Sequence, residues 1–198
     1  MRSEELAGQP GDLESPLSVA VIVGSSRKGR VGGTVADWFV SRVSRPDIKL
    51  DVIDVATLNL PLDLTATPAV REFTERIRSA DAFVVVTPEY NHGYPSGLKL
   101  AIDSVRSEWA AKPVAFVSYG GLSGGLRAVD QLRQVFAELH MVSIRDTVSF
   151  HQVRQCFDAS GNLLDPAPAE AAAALLLDRI VWWGQALRAA RRIDPYAD

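Results

Sequence analysis

Short apolar runs alternate along the chain with segments in which apolar residues recur every three or four positions. The runs are rich in β-branched residues and are bounded by turn formers, which is typical of strands buried in a parallel sheet. The pattern predicts five strands, at residues 17–23, 48–55, 82–87, 113–119 and 141–150.

Helical spacing is found between the runs. Val31, Val35, Trp38 and Phe39, for example, share one face of a helix. The predicted helices cover residues 31–43, 68–79, 96–106, 126–139 and 169–191, and irregular segments rich in Asn, Asp, Gly and Pro are predicted at 56–67 and 155–168. The last helix is apolar on several sides, so it is expected to pack against the domain or against a partner subunit.

The alternation of strands and helices predicts an α/β fold with right-handed crossovers. Five strands favour a flavodoxin-like three-layer sandwich with a parallel sheet of order 2-1-3-4-5, in which the turns after Val23 and Thr87 open into the same crevice. We expect a single domain at residues 17–193, preceded by a disordered leader at residues 1–16.

Composition narrows the possible functions. The 198 residues carry a formal net charge of −3, which argues against a nucleic-acid partner. No apolar segment approaches the roughly 18 residues that span a bilayer, and residues 1–16 lack the layout of a signal peptide, so no membrane partner and a cytoplasmic location are expected. Cys156 is the only cysteine, and the three histidines lack ligand spacing, so no metal site is expected.

The first glycine-rich turn follows the first strand. Its glycines let the backbone curl, the amino end of the next helix favours an anion, and Ser25, Ser26 and Arg27 add donors, which predicts a phosphate pocket. The alternative is a purely structural turn. Arg30-Val31 stands where a Walker A sequence needs Lys and Ser/Thr, and the G-x-G-x-x-G fingerprint is missing, so a mononucleotide is favoured over ATP hydrolysis or bound NAD.

Two further turns follow the third and fourth strands. Pro88-Glu89-Tyr90-Asn91 offers a fixed backbone, a ring and an amide, which suits a planar ligand with hydrogen-bonding edges, although an ordinary strand-to-helix turn is the alternative. Ser118-Tyr119-Gly120-Gly121 opens the other turn, where glycines allow close backbone approach and Tyr119 is able to cover a ligand face. This turn, too, could be structural.

These turns resemble the NADPH-dependent FMN reductase family of flavodoxin-like proteins, which includes quinone, azo-dye and chromate reductases. Gly24-Ser25-Ser26-Arg27 is similar to its G-S-x-R phosphate loop, and Pro88 to Asn91, followed by Pro95 to Asp103, is similar to its P-E-Y-N and P-x-x-L-K-x-A-I-D motifs. The similarity spans roughly Val19 to Val148. Arg30 and Gly32 depart from the Ser and Asn that the family often has, and His92 replaces a small residue.

The resemblance implies an enzyme that passes electrons from NADPH or NADH through FMN to a quinone-like small acceptor, and a homodimer or homotetramer. It implies that Ser25, Arg27 and nearby amides hold the phosphate, that Pro88 to Asn91 line the flavin ring, and that Ser118 to Gly121 lie on its other side. The expected cofactor-binding residues are Ser25, Ser26, Arg27, Arg30, Gly32, Pro88, Glu89, Tyr90, Asn91, Ser118, Tyr119, Gly120 and Gly121.

No catalytic side chain is expected, because the flavin itself carries the hydride chemistry. Glu89 has two interpretations, as a general base or as a hydrogen-bonding group of the turn. Two alternative functions stay open at this point: a nonenzymatic electron carrier like flavodoxin, and a flavin-based redox regulator that signals through its long last helix.

Overall fold

The computed structural model describes residues 15–196, which contain a single parallel sheet. The strand order β2-β1-β3-β4-β5 confirms the predicted flavodoxin-like topology. The strands are β1 (Leu17–Val23), β2 (Ile48–Asp54), β3 (Ala82–Pro88), β4 (Pro113–Tyr119) and β5 (Val142–Phe150). Of the predicted leader, only Ser15 and Pro16 fall within the described residues.

Five α-helices in the described residues connect and follow the strands. They are α1 (Gly32–Arg42), α2 (Pro68–Ser79), α3 (Ser96–Asp103), α4 (Leu126–Glu138) and α5 (Pro166–Ile193). The α3 helix ends earlier than predicted, because the Trp109 indole N–H turns back to the carbonyls of Ile102 and Val105, 3.2 Å from each. The α5 helix begins at Pro166, inside the segment predicted as a loop, since proline is well tolerated in a first helical turn.

Helices cover both faces of the sheet. On the face of α1 and α5, Val19, Val21 and Val23 of β1 join an apolar core that includes Phe39 and Ile180. On the other face, α2, α3 and α4 enclose a second core whose fully buried members include the largest side chain, Trp109. Because both faces are covered, β3 and β4 are buried along their whole length, which explains why their sequences are apolar apart from Thr87 and Ser118.

The last helix packs on the domain, as one of the two alternatives predicted. Leu176, Leu177 and Ile180 on one side of α5 belong to the core. On the outer side Trp182 is 60% exposed and meets Trp183 edge to face, with 5.1 Å between ring centroids. No helix within residues 15–196 combines the length and the apolar character needed to cross a membrane.

Candidate cofactor-binding site

A cleft of about 440 Å³ opens at the carboxyl edge of the sheet, where the turns after β1, β3, β4 and β5 meet. Its volume is in the range of small-molecule sites. The lining residues are Ser25, Arg27, Lys28, Gly29, Arg30, Val31, Pro88, Glu89, Tyr90, Tyr119, Gly120, Gly121, Gln152, Val153, Arg154 and Gln155.

One end of the cleft is the amino end of α1. The residue that caps this helix is Val31, which has no side-chain oxygen to accept from the first amides. No backbone amide between residues 25 and 34 donates a hydrogen bond to another described residue. Free amides at a helix amino end attract anions, because the helix dipole places partial positive charge there.

Three cationic side chains surround this helix end. Arg27 and Lys28 are exposed, whereas Arg30 forms an ion pair with Asp54, the last residue of β2. Asp54 therefore offsets the charge of Arg30, so Arg27 and Lys28 supply most of the uncompensated positive charge here. The side chains and the free amides together can hold a phosphate group.

The side chain of Ser25 connects the turn after β1 with the turn after β3 through a hydrogen bond. It is fully buried, and its hydroxyl lies 2.6 Å from the hydroxyl of Tyr90. Tyr90 also exchanges two backbone hydrogen bonds with Gly93, of 2.8 and 3.1 Å. The intervening Asn91 and His92 have φ angles of 48° and 74°, so they form a tight, exposed tip, and neither residue is part of the cleft lining.

The carboxylate of Glu89 is held by donors from the turn after β4. It accepts from the Ser123 hydroxyl at 2.7 Å, from the Arg127 amide at 3.2 Å, and pairs with the Arg127 guanidinium at 3.2 Å. Gly125, at the N-cap of α4, has no side chain to fill this role, so Glu89 caps α4 from a neighbouring loop. This arrangement favours the hydrogen-bonding interpretation of Glu89 over the general base.

The turn after β4 brings backbone, not side chains, to the cleft. Gly124 and Gly125 have φ angles of 63° and 86°, in the left-handed region, and a Cβ on Gly125 would lie 2.8 Å from the amide of Tyr119. The Ser118 hydroxyl is fully buried and donates to the Gly124 carbonyl at 2.9 Å. Ser118 thus braces the turn while Gly120 and Gly121 line the cleft.

Most of the residues expected from the sequence come together here. Those in the lining are Ser25, Arg27, Arg30, Pro88, Glu89, Tyr90, Tyr119, Gly120 and Gly121. The lining does not include Ser26, Gly32, Asn91 or Ser118. Ser26 is exposed, and its hydroxyl lies beside Gly97 at the start of α3, whereas Gly32 is buried in the first turn of α1.

Sequence reasoning missed the segment after β5. The amides of Gln152 and Val153 donate to the carbonyls of Gly121 and Gly120 at 2.8 and 3.0 Å, which places Gln152 to Gln155 against the cleft. A usable signal existed, because the carboxyl ends of all parallel strands lie at one edge of the sheet. In residues 15–196 no three His, Cys, Asp or Glu side chains converge in a way that could hold a metal ion.

The profile of the family described as NADPH-dependent FMN reductase matches residues 17–155, from β1 through the segment after β5. The chain belongs to the NADPH-dependent FMN reductase family. All four turns that form the cleft lie within the matched part.

Two similar proteins carry names that agree with this assignment, and a solved structure shares the fold. An Arabidopsis thaliana NADPH:quinone oxidoreductase is 35% identical over 174 residues, 81% of this chain and 89% of that protein. An NAD(P)H-dependent FMN reductase of Pseudomonas aeruginosa is 31% identical over 169 residues, 80% of this chain and 90% of that protein. The solved structure of FerB, a flavoenzyme NAD(P)H:(acceptor) oxidoreductase from Paracoccus denitrificans, shares the fold, with a TM-score of 0.69 at 24% identity over 86% of this chain and 98% of that one.

Proposed function

We propose that this protein is an FMN-dependent oxidoreductase that takes electrons from NADPH or NADH and passes them to a quinone-like small acceptor. One observation carries the proposal: a single cleft joins an uncapped, cation-flanked helix end to the two turns best suited to grip a flat ring. Membership of the NADPH-dependent FMN reductase family and the names of the relatives support the same chemistry.

The residues of the cleft fit FMN at its phosphate end. The free amides at the start of α1 and the guanidinium of Arg27 match a dianionic phosphate ester. The hydroxyl of Tyr119 is buried in the same place and has no well-aligned hydrogen-bond partner among the described residues, only a weak contact with Ser25. An unpaired buried donor beside free amides is a good match for a ligand oxygen.

The residues also fit the flat ring of FMN. Pro88 to Tyr90 form one wall of the cleft, and Gly120 and Gly121 form another, where the absence of side chains allows close approach. FMN, when bound, supplies the acceptance and donation of hydride. The protein's part is to bind and orient the cofactor and both substrates, and Glu89 serves that part by holding the two walls together.

The decisive experiment is an absorbance spectrum of the purified protein with added FMN, followed by anaerobic addition of NADPH or NADH. We expect a bound flavin spectrum, rapid bleaching by the nicotinamide, and reoxidation by a benzoquinone with steady turnover. A protein that bound no FMN would refute the proposal. A protein that bound FMN but was barely reduced in stopped-flow mixing would instead be an electron carrier, and slow quinone turnover would favour the redox regulator.

The expected homodimer or homotetramer stays a prediction. Beside the cleft, Leu122 is 82% exposed and Leu126 is 42% exposed, an apolar surface that a second copy would cover. Light scattering after size exclusion gives the molar mass, and Leu122→Glu should shift it towards a monomer. A monomeric wild-type protein would contradict the expectation. The cytoplasmic location also stays a prediction.

A further inference from the structure

The hydroxyl of Tyr119 is buried without a partner at the carboxyl end of β4. The residue is 4% exposed, and no described residue forms a well-aligned hydrogen bond with this hydroxyl; Ser25 makes only a weak contact with it. The hydroxyl of Ser25 is itself hydrogen-bonded to that of Tyr90, at 2.6 Å. Buried polar groups in folded proteins nearly always have partners, so an unpaired one points to a ligand.

The position of this hydroxyl is set by Gly32 in the first turn of α1. A Cβ built on Gly32 would lie 2.4 Å from the Tyr119 hydroxyl oxygen, so the hydroxyl fills the space that a side chain would take. Tyr119, the last residue of β4, therefore reaches the amino end of α1. There it joins the unpaired amides of residues 25–34, which also lack an acceptor among the described residues.

The ring of Tyr119 is part of the apolar core on the face of α1 and α5. A ring buried in that core is not free to stack on a flavin, which differs from the sequence-based expectation that Tyr119 covers a ligand face. Burial is also the main reason that the pKa of Tyr119 is raised above its ordinary value. The phenol is thus protonated at neutral pH, and it can donate a hydrogen bond without adding charge.

We propose that the Tyr119 hydroxyl donates a hydrogen bond to the phosphate of FMN, and that it makes the cleft select the phosphorylated flavin over riboflavin. The inference rests on the proposed function, since it takes FMN as the ligand. Tyr119 acts as a binding residue that supplements the amides and Arg27.

The test compares wild-type apoprotein with Tyr119→Phe in fluorescence titrations with FMN and, separately, with riboflavin. We expect FMN affinity to fall about tenfold, which corresponds to about 1.4 kcal/mol, and riboflavin affinity to stay the same. Inorganic phosphate should compete with FMN more weakly in the variant. Tyr196→Phe removes an exposed hydroxyl that pairs with His140, and it should leave both flavin affinities unchanged.

A second measurement does not involve flavin. Because Tyr119→Phe removes an unpaired buried hydroxyl, the apoprotein variant should unfold at the same temperature as wild type or higher. Equal FMN affinities of variant and wild type, equal losses for FMN and riboflavin, or a lower apoprotein melting temperature would each overturn the inference and leave the proposed function standing. Absence of FMN binding by the wild type would overturn both.

Discussion

The Tyr119 hydroxyl occupies the space beside Gly32, at the amino end of α1, that a larger side chain at position 32 would need. A Cβ on Gly32 would lie 2.4 Å from the Tyr119 hydroxyl oxygen but 3.5 Å from the ring carbon that carries it. The first distance is far below any tolerated contact, whereas the second is an ordinary van der Waals separation. The hydroxyl, rather than the ring, is therefore what excludes a side chain at position 32.

This match predicts that the two positions are energetically coupled. Gly32→Ala should lower the free energy of unfolding of the apoprotein by about 1–3 kcal/mol in wild type, since an extra carbon in a packed site forces strain. In a Tyr119→Phe background it should have almost no effect or stabilise, because alanine favours helix over glycine by about 1 kcal/mol. Urea unfolding of the four proteins measures both changes.

Gly33→Ala is the matched control, because a Cβ at that neighbouring helical position meets nothing within 4 Å. Its effect should be the same in both backgrounds. If Gly32→Ala were equally costly with Tyr119 and with Phe at position 119, the steric coupling would be refuted.

The sequence predicted the elements whose signal is local. Strands β1 and β4 and helix α2 have the predicted bounds, because continuous burial and a proline at the first helical turn are visible in the residues themselves. The end of α3 was missed, because it depends on the indole of Trp109 reaching back to Ile102 and Val105. These bonds span only seven and four positions, but the apolar spacing used to predict helices does not report the direction of a side-chain N–H.

At the cleft, too, the sequence predicted local backbone features but not the contacts that depend on packing. Glycines and prolines marked the three turns, because they report local backbone conformation. The partners of Glu89 lie in a different turn, more than thirty positions along the chain at Ser123 and Arg127, and they follow only from packing. The direction of the Tyr119 hydroxyl likewise depends on how β4 sits against α1.

Glu89→Gln tests whether Glu89 links the two walls of the cleft. The change removes the ion pair with Arg127 and the negative charge at the amino end of α4. We expect the free energy of unfolding to fall by about 1–2 kcal/mol and flavin affinity to weaken. With saturating FMN, the rate of flavin reduction should change less than tenfold, whereas loss of a general base would lower it by about 10²–10⁴.

Glu138→Gln is the control for Glu89→Gln, because it neutralises an exposed carboxylate at the other end of α4. Chemical unfolding and stopped-flow reduction should both resemble wild type. A rate loss of a hundredfold or more in Glu89→Gln at saturating FMN would restore the general-base interpretation.

Arg27→Ala tests the phosphate end of the cleft. Arg27 is exposed and forms no hydrogen bond or ion pair with another described residue, so apoprotein stability should stay within about 0.5 kcal/mol of wild type. FMN affinity should fall about tenfold or more, because a charged hydrogen bond to phosphate contributes about 1.5–3 kcal/mol. Fluorescence titration with FMN and riboflavin measures the effect, which should be confined to FMN.

Arg179→Ala removes a similar exposed charge from α5, on the opposite side of the helix from the core, and should change neither affinity. Added salt should narrow the difference between Arg27→Ala and wild type, since screening weakens an exposed charge contact. An unchanged FMN affinity in Arg27→Ala would remove this residue from the site.

Lys112 provides a prediction about pH and stability that is independent of flavin. Its side chain is 6% exposed, and its ammonium donates to the carbonyls of Ile77 and Arg78, at 2.9 and 3.0 Å, in the last turn of α2. Burial, with a further contribution from the charge of Arg191, lowers the pKa of Lys112 from 10.5 to about 8. The carboxylates of Asp81 and Glu108 oppose this shift without cancelling it.

Between about pH 8 and 10.5 the unfolded chain therefore holds the Lys112 proton while the folded protein releases it. The unfolded state binds more protons in this window, so the contribution of Lys112 to the free energy of unfolding rises with pH, by up to about 3 kcal/mol. From pH 8 to 10 we expect the free energy of unfolding of wild type, measured with urea, to rise relative to that of Lys112→Met, because only wild type carries this group. Between pH 6 and 7 the difference between the two free energies of unfolding should be constant, which serves as the internal control. If the free energy of unfolding of wild type minus that of Lys112→Met did not rise from pH 8 to 10, burial would not lower this pKa.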